Sequence, residues 1–292
     1  MSVTEFPVAE AGAGPYGIVT GPDGALWFTQ VHAGRIGRLA TDGTVSSHQL
    51  DPADGGPSLL AAGPDGALWL TESRANRIRR MTTDGTTTAV DVPTPASGPF
   101  GITAGPDGAL WFTAMSSDRI GRLDPGGGVR EFELPHAGGF PSMIVTGSDG
   151  ALWFTLNQAG AIGRITTAGA ITTFALPTEE AGPVGITAGP DGALWFVEIL
   201  AGQIGRIDTD GRITEFPLPD RGARPHAITT GPDGACWFTE WGADRVGRID
   251  VDGRVKTVAL PTPGSEPHGI TAGPDGALWV ALEIGALARL EP

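Results

Sequence analysis

The chain has 292 residues and a formal net charge of −14 at pH 7, with only 19 basic residues. So acidic a surface repels phosphate backbones and anionic lipid headgroups, which argues against nucleic acid and membrane partners. Its single cysteine, Cys236, excludes an intrachain disulfide. Since neither a secretory signal nor an apolar run long enough to cross a bilayer is present, we expect a cytoplasmic protein. We also expect a monomer.

A nine-residue stretch, Gly-Pro-Asp-Gly-Ala-Leu-Trp-Phe-Thr at 21–29, returns with small changes along the chain. Each copy has a tryptophan, and these lie 42 residues apart: Trp27, Trp69, Trp111, Trp153, Trp195, Trp237 and Trp279. A repeat of about 40 to 45 residues with a turn dipeptide and an aromatic residue is typical of propellers with four-stranded blades. Seven units account for the whole length, so we expect a single domain over residues 1–292.

The first unit shows the four strands that we predict for every blade. A strand at 16–20 is followed by a Pro-Asp-Gly turn and a strand at 25–29. A loop then leads to a strand at 35–39, a second Asp-Gly turn and an outer strand at 44–49. Both tight turns lie at one end of the blade, so the two longer connections meet at the opposite end. We expect the functional site at that opposite end.

The last unit has room for only one more strand after Glu283, roughly at 287–290. The opening Thr4-Glu5-Phe6-Pro7 matches Thr214-Glu215-Phe216-Pro217, which is predicted to be the outer strand of an interior blade. We therefore predict an all-β fold, a seven-bladed β-propeller of four-stranded antiparallel blades. The N-terminal strand completes the last blade and closes the ring.

Positions at which the seven units differ need an explanation other than the fold. The residue just before the innermost strand varies, and we expect the seven copies to ring the mouth of the central channel: Tyr16, Ser58, Phe100, Ser142, Val184, His226 and His268. Closure makes blades six, seven and one neighbours, which places His226, His268 and Tyr16 side by side. The alternative is that these side chains only plug the channel.

Two carboxylates also depart from the repeat, both in the seventh unit. Glu266 stands two residues before His268, where most units have glycine, and Glu283 stands on the loop after the second strand. Two carboxylates from converging loops, with a histidine between them, suit a hard cation such as Mg²⁺. Zinc prefers more nitrogen or sulfur ligands. The sequence therefore predicts a magnesium site at Glu266 and Glu283.

Other polar and aromatic residues have simpler interpretations. The arginine of each third strand and the turn aspartates recur in the units, so we assign them to the fold. Three glutamates recur at one repeat position and are treated in the same way: Glu72, Glu198 and Glu240. Three histidines without an acidic cluster are expected at the surface: His32, His48 and His136. Trp241 lies outside the tryptophan series and is predicted to bind a ligand ring, with packing against the next blade as the alternative.

At these residues the chain resembles the streptogramin B lyases, the virginiamycin B lyase family of seven-bladed propellers. The specific parts of the resemblance are Arg224-Pro225-His226-Ala227-Ile228, Thr239-Glu240-Trp241-Gly242, Ser265-Glu266-Pro267-His268-Gly269-Ile270 and Ala281-Leu282-Glu283. The resemblance covers the whole length and implies a carbon–oxygen lyase that opens a cyclic depsipeptide antibiotic by elimination. A base would remove the α-proton of the threonine residue whose side-chain oxygen forms the ester, leaving a dehydrated residue and a free carboxylate.

The resemblance also implies roles for individual residues. Mg²⁺ held by Glu266 and Glu283 would polarise a substrate carbonyl and take up the developing charge. His268 would be the acid/base group, since an unperturbed histidine titrates near ~6.5. His226 would orient the substrate or share the proton transfer, and Tyr16 would line the pocket. Which histidine takes the proton stays open at this point.

Two other functions are compatible with the sequence. A metal-dependent lactonase of the gluconolactonase type also uses a propeller channel. It relies on asparagine and aspartate ligands, however, and the only asparagines here are Asn76 and Asn157, in blades two and four. The second alternative is a propeller without catalytic activity that presents one face to a protein partner. It would show a broad apolar patch instead of a small acidic pocket lined by histidines.

Overall fold

The computed structural model describes residues 2–292, and within this range the chain forms seven four-stranded antiparallel sheets. Met1, the first residue of the predicted domain, lies outside the described residues. Six sheets use four consecutive strands, and the seventh combines the last three strands with the first strand of the chain. The prediction of a seven-bladed, all-β propeller is confirmed. No helix among residues 2–292 is long and apolar enough to cross a membrane.

The chain starts with the strand that closes the ring and then builds the first four blades in order. The closing strand is β1 (Val3–Pro7). Blade one contains β2 (Pro15–Thr20), β3 (Leu26–Gln30), β4 (Arg35–Leu39) and β5 (Val45–Gln49). Blade two contains β6 (Pro57–Ala62), β7 (Leu68–Glu72), β8 (Arg77–Met81) and β9 (Thr87–Asp91). Blade three contains β10 (Pro99–Ala104), β11 (Leu110–Ala114), β12 (Arg119–Leu123) and β13 (Val129–Glu133). Blade four contains β14 (Pro141–Thr146), β15 (Leu152–Leu156), β16 (Ala161–Ile165) and β17 (Ile171–Ala175).

The last three blades carry most of the predicted site residues. Blade five contains β18 (Pro183–Ala188), β19 (Leu194–Glu198), β20 (Gln203–Ile207) and β21 (Ile213–Pro217). Blade six contains β22 (Pro225–Thr230), β23 (Cys236–Glu240), β24 (Arg245–Ile249) and β25 (Val255–Ala259), with a short 3₁₀ turn at Trp241–Ala243. Blade seven contains β26 (Pro267–Ala272), β27 (Leu278–Leu282), β28 (Ala286–Leu290) and, outermost, β1.

The ring closes as predicted, through antiparallel pairing of β1 with β28. Val3 lies opposite Leu290, and Pro7 lies opposite Ala286. The strand therefore covers the outer edge of β28, which would otherwise expose unpaired backbone groups. Closure also brings β2 of blade one against β26 of blade seven. This contact places the innermost strands of the first and last blades side by side.

The turn aspartates and third-strand arginines form one hydrogen-bonded unit with each tryptophan. In blade one, Trp27 Nε1 donates to Asp23 Oδ1 over 2.9 Å, and Arg38 Nε donates to Asp23 Oδ2 over 2.8 Å. The Arg38 guanidinium also lies 5.6 Å from the centroid of the Trp27 ring. The same two hydrogen bonds recur in the other six blades. The assignment of these aspartates and arginines to the fold is confirmed.

A bulge in the innermost strand of every blade sets the direction of the variable ring residues. In blade one the register with β3 shifts between Pro15 and Ile18, and the other six blades shift at the same place. Bulges turn a side chain out of the regular pleat. Tyr16 and its six equivalents lie within these bulges. Beneath them is a channel cavity of about 100 Å³ with mostly apolar walls.

Blade two lacks an aromatic ring that covers the tryptophan in several other blades. In blade four, Phe174 stacks on Trp153 with ring centroids 5.6 Å apart, and Trp153 is fully buried. Val90 has the equivalent place on β9, and Trp69 beneath it is only half-buried.

We expect Val90→Phe to stabilise the protein, because the added ring would cover Trp69. An aromatic pair of this kind contributes about 0.5–1.5 kcal/mol beyond area burial. Urea denaturation, with the reverse variant Phe174→Val as the control, measures the effect. Unchanged or lower stability of Val90→Phe would contradict it.

The recurrent glutamate at the end of the second strand pairs with an arginine in blades two and six but not in blade five. Glu240 accepts a hydrogen bond from Arg245 Nε over 2.5 Å. In blade five a glutamine replaces this arginine, and Glu198 Oε2 accepts from Gln203 Nε2 over 2.6 Å. Glu198 is fully buried. Burial, followed by the nearby charge of Glu215, raises the pKa of Glu198 to about 7 against the opposing Gln203 hydrogen bond.

We expect Glu198→Gln to stabilise the protein above pH 7. The folded state holds the Glu198 proton up to about pH 7, whereas the unfolded chain releases it near pH ~4.3. The unfolded state therefore binds fewer protons in this window, and stability falls as pH rises through it. The full effect corresponds to about 4 kcal/mol. Thermal denaturation at pH 5 and pH 8 tests this expectation. The matched control is Glu240→Gln, which should not stabilise the protein because it breaks the ion pair with Arg245. Equal midpoints for Glu198→Gln and wild type at pH 8 would contradict the expectation.

Candidate active site

Residues from blades one, six and seven meet at the propeller end that carries the longer connections. The ring centroid of Tyr16 lies 4.6 Å from that of His268 and 5.6 Å from that of His226. The two histidine rings are 5.0 Å apart, and the Tyr16 hydroxyl lies 3.2 Å from His226 Nε2. The predicted adjacency of these three residues is present in the structure.

A repeated threonine fixes the backbone beneath this cluster. Thr239 Oγ1 on β23 donates to the carbonyl of His268 in the next blade over 2.8 Å, and it accepts from Ala227 N over 3.0 Å. One hydroxyl thus connects the ring positions of blades six and seven. Thr29 makes the same cross-blade bond to the Ser58 carbonyl over 2.8 Å. The site is therefore built on rigid parts of the repeat.

The backbone at Glu266 is held by the carboxylate of Asp244 in blade six, which was not among the predicted site residues. Glu266 has a φ of 46°, in the left-handed region. Its N–H donates to Asp244 Oδ1 over 3.1 Å, and Asp244 Oδ2 accepts from Gly264 N over 2.7 Å. These bonds stabilise the strained backbone at Glu266. Asp118 holds the matching loop of blade four, so a comparison of the repeats could have identified Asp244.

The three predicted acid and imidazole groups of blade seven form one cluster. One ligand atom each from Glu266, His268 and Glu283 can be chosen so that all lie within 4.8 Å of one another. His268 Nε2 donates to Glu283 Oε2 over 2.6 Å. Glu266 is exposed and Glu283 is half-buried, so the carboxylates face solvent. Two carboxylates that face solvent offer oxygen donors that fit a hard cation such as Mg²⁺, with the His268 imidazole beside them.

Cys236 takes no part in this cluster. It begins β23, at the end opposite Glu240, and it is buried beside Trp237. Burial raises the pKa of its thiol to about 12. Since a neutral, buried thiol is a poor ligand for metals, the cysteine does not convert the cluster into a zinc site.

Burial disfavours the charged forms of Tyr16, His226 and His268. Burial, reinforced by the neighbouring His268, lowers the pKa of His226 to about 3. Burial also lowers the pKa of His268, although its hydrogen bond to Glu283 opposes the shift. Burial and the Glu283 charge raise the pKa of the Tyr16 hydroxyl. At neutral pH the site therefore offers two uncharged imidazoles and an intact phenol.

His32 lies at the surface as expected, but the expectation that it has no acidic neighbour is wrong. Its side chain is 55% exposed, but its Nε2 donates to Glu283 Oε1 over 2.9 Å. The carboxylate belongs to blade seven and reaches His32 only after the ring closes. A comparison of equivalent positions in the units therefore could not predict the contact between His32 and Glu283. His48 also differs from the expectation, since its ring stacks on Trp27 at 5.9 Å.

The remaining predicted site residue, Trp241, lies beside the cluster on the 3₁₀ turn. Its ring centroid is 6.5 Å from that of His268, and the Arg224 guanidinium lies 5.5 Å from the Trp241 centroid. The side chain is half-buried. The structure therefore brings Trp241 to the site, and its contact with a ligand stays a prediction.

A shallow cavity extends the site towards blades two and three. Its volume is about 300 Å³, and its lining includes Tyr16, His32, Arg74 and Phe100. Because Tyr16 packs on His268 and His32 bonds to Glu283, the cavity adjoins the acid and imidazole cluster. The arrangement can hold a cation and a ligand side by side, with an uncharged imidazole between them.

Comparison with known proteins points to one family. The family described as the Virginiamycin B lyase family matches residues 1–290. The chain is 60% identical over 51 residues to a virginiamycin B lyase of Saccharopolyspora erythraea, a match that covers 18% of this chain and 17% of the relative. That sequence match thus spans about a sixth of the relative's length.

Solved structures match over almost the whole length. A crystal structure of virginiamycin B lyase from Staphylococcus aureus is 45% identical, with a TM-score of 0.95, and the match covers 99% of this chain and 98% of that chain. A catalytically inactive histidine-to-alanine variant of the Staphylococcus aureus enzyme, solved with quinupristin, matches with the same identity, coverage and TM-score.

Proposed function

The chain belongs to the virginiamycin B lyase family, and from that premise we propose that it linearises cyclic depsipeptides of the streptogramin B type by elimination at the ester bond. The observation that carries the proposal is the convergence of Glu266, His268 and Glu283, whose ligand atoms lie within 4.8 Å of one another. A relative solved with quinupristin supports this substrate class. A role in antibiotic resistance follows from the same proposal.

Elimination requires a base for the α-proton of the threonine residue. We assign this role to His268, because its lowered pKa keeps the imidazole uncharged at neutral pH. Since Nε2 holds the hydrogen of the ring against Glu283, the proton would be taken by Nδ1, which has no hydrogen-bond partner in the structure. The Glu283 carboxylate, 2.6 Å from His268 Nε2, stabilises the imidazolium that forms when the proton arrives. His226 has no carboxylate hydrogen bonded to it, and burial disfavours its charged form. The electrostatics therefore favour His268 over His226 as the base.

The second requirement is stabilisation of the negative charge that develops on the substrate carbonyl. Glu266 and Glu283 would hold Mg²⁺, which supplies Lewis-acid stabilisation of the negative charge that develops beside the α-carbon. Tyr16 and His226 form a neutral wall that orients the depsipeptide, and Trp241 offers a flat surface next to His268. As the Cα–H bond breaks, its electron pair forms the Cα–Cβ double bond and the Cβ–O bond breaks. The leaving carboxylate needs no proton at neutral pH, so the site needs no separate acid.

The mass of the product tests this function. A streptogramin B is incubated with the protein and Mg²⁺, and the product is analysed by mass spectrometry. Elimination yields a linear product with a dehydrated residue and the mass of the cyclic substrate. Lactone hydrolysis adds one water and leaves an intact threonine, which would support the lactonase alternative. An unchanged cyclic substrate would support a propeller without catalytic activity.

A further inference from the structure

One carboxylate of the candidate site is engaged by imidazoles from two blades. Glu283 Oε2 accepts from His268 of its own blade over 2.6 Å, and Glu283 Oε1 accepts from His32 of blade one over 2.9 Å. His268 has a role in the proposed reaction, whereas His32 has none so far. We propose that His32 is a positioning residue that fixes the Glu283 carboxylate for cation binding. This inference rests on the metal site of the proposed function.

The loop that carries His32 is itself fixed by backbone hydrogen bonds. Val31 N donates to the Gly14 carbonyl over 2.9 Å, and His32 N donates to the Ala13 carbonyl over 3.2 Å. Gly14 has a φ of 67°, and a Cβ at this position would lie 2.5 Å from His32 Cδ2. The imidazole therefore uses space that is open because residue 14 is glycine. The ring is packed on the backbone and directed towards blade seven.

The propeller repeat does not require a histidine at this position. The equivalent residues in the other six blades share no chemical character: Arg74, Ser116, Gln158, Leu200, Gly242 and Ile284. A residue needed for the blade would recur, as the turn aspartates do. The chemistry of His32 must therefore be explained by its surroundings, and its polar partner there is Glu283.

The hydrogen bond from His32 limits the conformational freedom of the Glu283 side chain, which is partly exposed to solvent. The Glu283 side chain is 32% exposed, and a glutamate on a loop has several rotamers to lose when it binds a cation. With Oε1 held by His32, the carboxylate keeps Oε2 towards His268. Hydrogen-bond partners of metal ligands act in this way, and their loss typically lowers metal affinity about 10- to 100-fold.

The test measures Mn²⁺ binding in the absence of substrate, by the loss of the free Mn²⁺ signal in electron paramagnetic resonance. His32→Ala should weaken binding about 10-fold. His32→Gln should recover most of this loss, because its amide can donate to Glu283. Gln158→Ala is the matched control, since it changes the equivalent loop position of blade four, and it should bind as wild type does. Turnover should follow the same order, with kcat lowered more than KM is raised.

Equal Mn²⁺ affinity of wild type and His32→Ala would overturn the inference. An equal loss in His32→Ala and His32→Gln would also count against a donor role for the imidazole. Wild-type protein that binds no Mn²⁺ would remove the metal site and this inference together. In that case the mass of the streptogramin product still decides independently whether the protein is a lyase. Thermal midpoints measured on all three variants show that each is folded.

Discussion

Replacement of His268 by alanine is expected to lower kcat/KM for a streptogramin B by about 10²- to 10⁴-fold, which is the usual contribution of a positioned acid/base group. The reason is geometric, because His268 is the imidazole whose Nε2 lies 2.6 Å from the Glu283 carboxylate. The His268 ring also packs on Tyr16, with the ring centroids 4.6 Å apart. Steady-state kinetics with a fixed Mg²⁺ concentration measure the effect.

The control for this variant is Ser142→Ala, which alters the same ring position in blade four. It should keep wild-type kinetics, because Ser142 Oγ bonds only within its own blade, to the Phe140 carbonyl at 3.3 Å. A His268→Ala protein that is folded and retains more than a tenth of wild-type kcat/KM would remove His268 from the chemistry. His226 would then be the remaining imidazole to examine.

Removal of divalent cations is expected to abolish turnover, and added Mg²⁺ should restore it. Lewis-acid stabilisation is worth several kcal/mol, so we expect a loss of about 100-fold or more. Glu266→Gln and Glu283→Gln should each raise the Mg²⁺ concentration needed for half-maximal activity, because each replaces a charged ligand. Activity assays after EDTA treatment, dialysis and stepwise return of Mg²⁺ provide the measurement.

The matched control is Glu179→Gln, an exposed acid on the connection into blade five. It changes the net charge as the two site variants do but lies outside the acid and imidazole cluster. Its Mg²⁺ dependence should equal that of wild type. Full activity in the presence of EDTA would contradict a metal-assisted reaction, and equal behaviour of Glu266→Gln and Glu179→Gln would contradict the ligand assignment.

The repeat made most of the fold and much of the site predictable. Since a tryptophan marks every unit, the number of blades follows from counting, and the match between Thr4–Pro7 and the outer strand of blade five identifies the closing strand. Glu266, Glu283 and His268 could be recognised because they depart from positions that the other units fill differently. The structure places these three residues of blade seven together.

Contacts made across the ring closure could not be predicted in this way. His32 and Glu283 belong to different units and are 251 positions apart in the chain, so neither unit contains the pair. The protonation states also could not be predicted from the sequence. The low pKa of His226 comes from burial, which depends on the packing of the blades in the closed propeller. The cytoplasmic location and the monomeric state stay predictions.

The most direct test of the proposed chemistry uses a streptogramin B that carries deuterium on the α-carbon of its ester-forming threonine. Removal of that atom by His268 predicts a linear product that has lost the deuterium, together with a primary isotope effect on kcat/KM when proton abstraction limits the rate. A linear product that retains the deuterium and has gained one water would contradict the account.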